Sequence, residues 1–516
     1  MELVKKSIHT DRIKCSAAVQ IPLEDDINIT DARPDVYQLI EEQGEIIIDE
    51  IRVIQDHVYV KGKLQFVILY LSDDDVRRPS SMTGKIAFDE QVYMEGVCSA
   101  DTVSVKKEVE DLNTGMINSR KLSVQALINL EMCVEEIRDC EAAVDLDDPE
   151  TVEYRKKEIE LAELAIRKKD IFRVRQELEL PTGLPNIFEI FWDRVRLEGV
   201  QFGLKNGKLS IQGQIHLFCL YEGEGENRPV AVYETTVPFG GDLECFGLKE
   251  KMHSAIGYTI GQKQIEVKPD IDGEERLISL DLVLDLDLKI YEEEHAEILS
   301  DVYGVTSEVE AVTEVGAIKQ LLMKNTGKLK ASGHFKVADG MPGIRQICHS
   351  DSVVWLAEAA VVEEGLRLTG TVQVKLLYQT EEDEVPYDCL TGSIPFSYLL
   401  EIPGISSDCT WELKAEAEEI GTILMDAGEA DVKVMLSFCA MVFRNFEEPL
   451  IRNIKVSRLD TVKISELPGI IAYIAGEGES LWDLGKKYYV PVSRIREMND
   501  LEGDEIFPGD KILIVR

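Results

Sequence analysis

Apolar and polar residues alternate along most of the chain. The stretch Leu209-Ser210-Ile211-Gln212-Gly213-Gln214-Ile215-His216-Leu217 keeps a near-strict period of two, and Val58 to Tyr70 and Leu366 to Val374 follow it. Alternation rich in β-branched and aromatic residues predicts half-buried strands, one face on a core and one in water. Further alternating runs span Leu122 to Met132, Ile278 to Ile290 and Ala430 to Val442. In the second of these, Asp281, Asp285 and Asp287 interleave with leucines and are expected on the wet face. Reading them as calcium ligands is weaker, because a calcium loop needs a turn glycine and oxygens converging from several backbone positions. His216, out of phase with Ile215 and Leu217, is likewise expected to meet solvent.

The strands recur in three copies, the kind of periodicity that decides an architecture. Pro34, Pro185 and Pro342 are each followed 28 residues later by a mid-strand glycine, Gly62, Gly213 and Gly370. Eight residues on comes the tyrosine of a Leu-Tyr pair (Tyr70, Tyr221, Tyr378), and 18 further a phenylalanine (Phe88, Phe239, Phe396). Upstream, Ile27/Ile29, Leu178/Leu180 and Phe335/Val337 keep the same offsets. Glycine inside a strand predicts a bulge or a close backbone approach, and Asn206-Gly207 predicts a hairpin turn. Each copy is then a mainly β unit of about 120 residues, large enough to own a core, and an antiparallel β-sandwich is its natural closure.

The chain divides on this pattern into β units at 1–140, 171–294 and 325–447, connectors at 141–170, 295–324 and 448–469, and a small α+β domain at 470–516. In the first connector acids come early and bases late, Pro149 lies near the start, and Ile159, Leu161, Ala162, Ala165 and Ile166 sit at roughly helical spacing. That predicts a helix from Glu150 to Lys168, either a solvated strut or one docked on a neighbour. The second connector contains Asp301-Val302-Tyr303-Gly304 and could supply a further strand pair to the third unit.

In the small domain, Tyr473-Ile474-Ala475 begins a short strand. Ser480 is placed to cap a helix with Asp483 as its box partner, and Leu481, Leu484 and Tyr488 give that helix an apolar face. Val490 to Ser493 leads into a second helix, Arg494 to Met498, which Asn499 ends. Pro508-Gly509-Asp510 then turns the chain into a last strand, Lys511 to Val515, completing a βααβ unit.

Composition narrows the partners. The chain carries 97 acidic and 56 basic residues, a formal net charge of −41, which repels nucleic-acid phosphates and anionic headgroups and favours a basic protein partner. Its ten cysteines form no CxxC pair and suit buried thiols in a reducing compartment. The seven histidines show no metal-ligand spacing, and no Walker loop, HExxH or nucleophile elbow occurs. A non-enzymatic protein without metal or cofactor is expected. No signal-peptide core opens the sequence and no apolar run approaches membrane-spanning length, so a cytosolic location without membrane insertion is expected.

The small domain closely resembles the LysM domain, on its Gly478-Glu479-Ser480-Leu481-Trp482 turn, its second-helix start at Val492-Ser493, its Asn499 and its Pro508-Gly509. The resemblance implies binding of N-acetylglucosamine polymers such as peptidoglycan or chitin. The implied groove has Gly478, Glu479, Ser480 and Leu481 on one side and Ile495, Met498, Asn499 and Leu501 on the other. Glu479 stands where that family usually has aspartate, and the module holds nine acids against six bases from Ile470 to Arg516, so a groove repurposed for protein stays open. The triplicated unit resembles the SPOCS domain of endospore-forming anaerobes, on its proline start, its Leu-Tyr and its later Pro-Phe. Three such units with one LysM domain resemble the SipL family of spore-coat morphogenesis proteins. That likeness implies an adaptor in the mother-cell cytosol, at the forespore surface, binding a coat morphogenetic ATPase of the stage IV sporulation protein A type through its LysM and SPOCS domains. The alternative is a peptidoglycan binder of the cell wall or spore cortex.

Overall fold

A computed structural model describes residues 2–147, 152–426, 428–459 and 467–516. The alternating runs are strands, and in every repeat six of them form two three-stranded antiparallel sheets. In the first unit one sheet runs β1 (Leu3–Asn28), β6 (Lys121–Leu146), β5 (Val103–Asn118). The other runs β2 (Val36–Ile54), β3 (His57–Ser72), β4 (Pro79–Tyr93). The second unit repeats this with β7 (Val152–Glu179), β12 (Glu275–Gly304) and β11 (His253–Pro269) in one sheet. Its other sheet holds β8 (Ile187–Lys205), β9 (Lys208–Gly223) and β10 (Val230–Glu244). The third unit has β13 (Ser307–Lys336), β18 (Glu429–Arg458) and β17 (Cys409–Asp426) against β14 (Ile344–Val362), β15 (Gly365–Thr380) and β16 (Tyr387–Glu401). Inward-facing residues of the central strands fill each sandwich. In the first, Leu64, Phe66 and Ile68 of β3 share a core with Val124, Ile128 and Leu130 of β6.

The repeated motif has a physical reading. Glycine and phenylalanine are direct cross-strand partners: Gly62 with Phe88, Gly213 with Phe239 and Gly370 with Phe396. A Cβ on Gly62 would lie 2.5 Å from the Ile47 carbonyl oxygen and 2.7 Å from the Phe88 ring. On Gly370 it would lie 2.0 Å from the Trp355 carbonyl oxygen and 2.8 Å from the Phe396 ring. The neighbouring strands are bulged beside these glycines, so the missing side chain lets backbone and ring close in together. The motif tyrosine closes the opposite corner. Tyr70 donates its hydroxyl to the Pro34 carbonyl (3.2 Å) and Tyr221 to that of Pro185 (3.0 Å), whereas Tyr378 turns to the Asp388 carboxylate.

The connectors are where the structure departs from expectation. No helix occupies 150–168: residues 148–151 lie outside the described residues, and β7 runs unbroken from Val152 to Glu179. Ile159 and Leu161 alternate with acids and bury on one face. Ala162 and Leu164 bury on the other face, and Ala165 is skipped in the pairing with β12. A strand buried on both faces around a bulge has apolar spacing that imitates a helix, and tertiary pairing overrides the helix propensity of its Glu, Lys, Ala and Leu. Likewise 295–324 is no linker. β12 continues to Gly304 and β13 starts at Ser307, giving the third unit its first strand. Of 448–469, β18 takes the part up to Arg458.

The long strands bind the units together. Beyond each sandwich the pairs β1/β6, β7/β12 and β13/β18 run on as two-stranded ribbons, and the three ribbons share one apolar cluster. The equivalent residues Ala142, Ile298 and Leu450 all belong to it. A second shared cluster joins the sandwiches through the equivalent leucines Leu69, Leu220 and Leu377, all fully buried. Matching residues from three units meeting in one cluster describe a pseudo-threefold arrangement.

Charge threads the same interfaces. The Arg194 guanidinium of the second unit donates to Glu41 of the first at 2.6 Å and lies 3.7 Å from Asp351 of the third. Burial pushes the Asp351 carboxyl up, but the charges of Arg194, His349 and Arg196 and the Ser352 N–H together prevail and hold it below the usual carboxylate range. Asp11 of the first unit accepts from Tyr291 of the second (3.1 Å) and Lys319 of the third (2.7 Å). His216, expected in solvent, sits at such an interface. It reaches Glu234 at 3.1 Å, as does His349 of the third unit, and the two rings stack. Its strand face is wet in a lone sandwich and covered in the assembly.

Shared clusters predict one cooperative unfolding transition for residues 2–459 rather than three, readable by calorimetry with van't Hoff and calorimetric enthalpies in agreement. Arg194→Met should cost about 3–5 kcal/mol, because it leaves Glu41 to Lys375 at 3.8 Å and Asp351 to Arg196 at 4.0 Å, both beyond hydrogen-bond reach. Gly370→Ala should cost about 1–3 kcal/mol through overpacking, while Gly257→Ala, whose Cβ would meet only Asp287 Cβ at 3.8 Å, should change the denaturation midpoint little.

Candidate functional site

The small domain follows the predicted order: β19 (Ile470–Ile474), α1 (Leu481–Tyr488), α2 (Val492–Met498) and β20 (Lys511–Val515), with β19 and β20 antiparallel. Ser480 caps α1 and forms a complete capping box with Asp483. Helix α2 begins two residues earlier than expected, behind Pro491, with no side-chain cap. Proline suits that position because its fixed φ needs no N–H donor.

The candidate groove residues fall into three groups. Leu481 and Ile495 are fully buried, and with the half-buried Leu501 they join the core of the module. Gly478, Glu479 and Ser480 form the β19–α1 turn, where Gly478 has φ +79° and open space around it. Glu479 accepts from the Tyr473 hydroxyl at 2.6 Å and the Gly476 N–H at 2.8 Å, bonds that hold its carboxyl below the usual range. Asn499 bridges Ile495 and β20: its amide donates to the carbonyls of Ile495 and Leu513, and its oxygen accepts from the Leu513 N–H, all at 2.7 Å. Met498 is the candidate with a freely accessible apolar side chain, 41% exposed. Elsewhere in the module, Phe507, Ile470, Ile474 and Leu513 are exposed too.

A second feature lies on another face of α1 and escaped sequence reasoning. Trp482 donates its indole N–H to Asp301 at 2.9 Å, and Lys486 binds the same carboxylate at 2.7 Å. The Tyr303 ring meets Trp482 edge-on at 4.8 Å, and its hydroxyl donates to the Val490 carbonyl at 2.9 Å. Gly485 makes room, since a Cβ there would lie 2.5 Å from the Tyr303 hydroxyl. Asp301 and Tyr303 stand near the end of β12, so the module is docked on the tip of the second unit's ribbon. The partners are 181 and 187 residues apart, and no local pattern links them.

Burial pushes the Asp301 carboxyl up, but its bonds to Lys486, Trp482 and the Val302 N–H prevail and hold it below the ordinary carboxylate range. A depressed folded value means that this contact is at full strength above the free carboxylate pKa, about 4, and is lost as pH falls through the folded value. Among the described residues no three His, Cys, Asp or Glu side chains converge as a metal site, and no helix is long and apolar enough to cross a membrane. The ten cysteines are unpaired thiols.

With this geometry in hand, the comparisons with known families are specific. The SipL, SPOCS domain matches residues 35–117, 186–268 and 343–425, and the LysM domain matches residues 473–515. Each SPOCS match opens directly after the motif proline and covers the second to fifth strands of its sandwich. No curated protein and no solved structure matches the chain.

Asp301→Ala should release the module while both bodies stay folded. Release would appear as a red-shifted, more quenchable Trp482 emission in a variant whose other tryptophans are phenylalanine. Gly485→Ala, whose Cβ would lie 2.5 Å from the Tyr303 hydroxyl and 2.8 Å from the Val490 carbonyl oxygen, should release the module and also lower its own melting temperature. In the wild type, acidification through the depressed folded value of Asp301, below about pH 4, should reproduce the release.

Proposed function

We propose that this chain, which carries three SPOCS domains of the SipL family followed by a LysM domain, is a non-enzymatic adaptor of spore-coat assembly. Its partner in this reading is a coat morphogenetic ATPase of the stage IV sporulation protein A type, met by the LysM groove and the SPOCS units in the mother-cell cytosol. The observation that carries the reading is the joining of both domain types, in this number and order, in one chain. Two features support it. The LysM module is held at a fixed orientation by Asp301 and Tyr303, which suits the positioning of one protein against another. The formal charge of −41 favours a basic protein surface over a polyanion.

The second reading, a binder of peptidoglycan or another N-acetylglucosamine polymer, is favoured by the LysM match itself. Co-sedimentation of the full chain with insoluble peptidoglycan, run beside titration calorimetry with the purified ATPase, separates the two. Binding to the ATPase with the glycan pellet empty supports the adaptor, and the reverse pattern overturns it. Met498→Lys, which adds a charge to an exposed position, should weaken ATPase binding at least tenfold with the module's melting unchanged. Glu479→Lys should lower binding and module stability together, because it breaks the bonds from Tyr473 and Gly476.

A further inference from the structure

The three sandwiches do not close alike. Along the edge where the two sheets of a sandwich meet, β2 packs on β5 in the first unit and β14 on β17 in the third. The corresponding strands of the second unit, β8 and β11, hold their backbones farther apart and meet through long side chains such as Phe202 with Tyr258 and Asp193 with Lys263. The residues at this seam explain the difference. In the first unit Gly44 faces Leu112, with only 3.1 Å between a built Cβ and the leucine methyl. By strand register Gly44 corresponds to Val195 and Ser352, and Leu112 to Lys263 and Ile420. Leu112 and Ile420 are apolar plugs packed on their cores. Lys263 provides no apolar plug, and its ammonium instead reaches across to the Asp193 carboxylate of β8. Val195 for glycine then adds bulk where the sheets would otherwise meet.

The result is a cleft of about 1030 Å³ between the open edge of the second unit and the third, with Phe202, Tyr258, Leu413 and Phe438 among its walls. Three free sheet edges border it: β8 and β11 of the second unit and β17 of the third each pair on one side only. The Ser254 carbonyl of β11 accepts from the Lys324 side chain in this cleft (3.1 Å), a side chain standing where a neighbouring strand would donate. Ser352, a residue 7% exposed, borders the cleft, and its buried hydroxyl has no hydrogen-bond partner among the described residues. Of the five bases that line the cleft, four are paired with carboxylates, Arg196 with Glu198, Lys289 with Glu412, Lys328 with Glu418 and Lys414 with Glu416, and Lys324 is held by the Ser254 carbonyl.

We infer that this cleft receives an extended peptide segment of a partner protein, uncharged and with apolar residues at alternate positions, which adds as a strand to the free edge of β11. Main-chain bonds to the edge give affinity, and alternate side chains fill the apolar walls. The bordering run Ser254–Ile260 is about 23 Å long at strand rise, which sets a segment of about seven residues. With four of the five lining bases already on carboxylates, an ionic ligand finds little to pair with. A surface as acidic as the rest of this chain turns acidic segments away.

A displayed library of random linear heptapeptides, panned on the full chain and counter-selected on Gly257→Trp, tests this. Gly257 borders the cleft with room for a side chain, so the tryptophan fills it. Peptides with apolar residues at alternate positions should emerge. Fluorescence anisotropy should show them bound at least tenfold more weakly by Gly257→Trp, by the seam-closing Val195→Gly/Lys263→Leu pair, and by the wild type after N-methylation of alternate residues. Melting curves check both variants for folding. Ser352→Ala, expected to weaken binding severalfold, serves if either is unfolded. The inference is overturned if no peptide prefers the wild-type chain, or if N-methylation changes nothing. It is equally overturned if anilinonaphthalene sulfonate occupies the cleft and no peptide displaces it, or if light scattering finds a dimer that Gly257→Trp dissociates.

Discussion

The paired long strands make the three units one body. Each pair outruns its sandwich and leaves a two-stranded ribbon with apolar residues on its faces, a structure that is marginal in water by itself. Three ribbons together solve the problem, because Ala142, Ile298 and Leu450 converge with Ile8, Ile159 and Ile318 in a single cluster. Much else depends on that convergence. It places the three sandwiches so that Leu69, Leu220 and Leu377 meet, and it presents the end of β12 as a platform for the LysM module. The SPOCS matches leave out the first and sixth strands of each unit, the very strands that make the ribbons. The matched segment thus holds one whole sheet and the edge strand of the other, and the ribbons lie in the flanking sequence.

Electrostatics divides the same way. The chain has far more acids than bases, yet several of its bases sit where units meet: Arg194 between Glu41 and Asp351, Lys289 between Glu135 and Glu412, Lys319 on Asp11. Each of these bases is matched by at least one carboxylate, so the interfaces stay near neutral and the excess of acids is left to the rest of the surface. These contacts also break the threefold relation. Glu41, Trp192 and His349 occupy one equivalent position, and Gln43, Arg194 and Asp351 another. A position that carries a carboxylate in one copy and a guanidinium in the next can pair across the axis, which three identical side chains could not do. The backbone is repeated and the chemistry is not. The same divergence, at Val195 and Lys263, opens the second sandwich.

Local patterns made the sandwiches and the LysM elements legible. Period two marked the strands, fixed offsets marked the triplication, and Ser480 with Asp483 marked the start of α1. The first connector misled because strand β7 is covered on both faces and bulged at Ala165, which turns period two into a helix-like pattern. His216 misled for a related reason: alternation tells which face of a sheet a residue takes, and only tertiary packing tells what covers that face. Of the candidate groove, Leu481 and Ile495 serve the core, Glu479 and Asn499 hold the turn and the last strand, and Met498 and Gly478 remain open to a ligand. A module this small draws most of its characteristic residues into its own stability.

The docked orientation of the module bears on how any ligand would be felt. Ser480 and Glu479 shape the turn that starts α1, and the same helix carries Trp482, Gly485 and Lys486 into contact with Asp301 and Tyr303. A two-turn helix is stiff over that length, so a ligand that shifts the turn must shift the indole against its carboxylate or leave the helix where it is. A ligand indifferent to docking gains nothing from the contact. One that touches both module and ribbon binds a preorganised pair and avoids the entropy of arranging them. An extended glycan reaches a tethered module as well as a docked one. A folded partner broad enough to span the module and the second unit is the ligand for which Asp301 makes a difference.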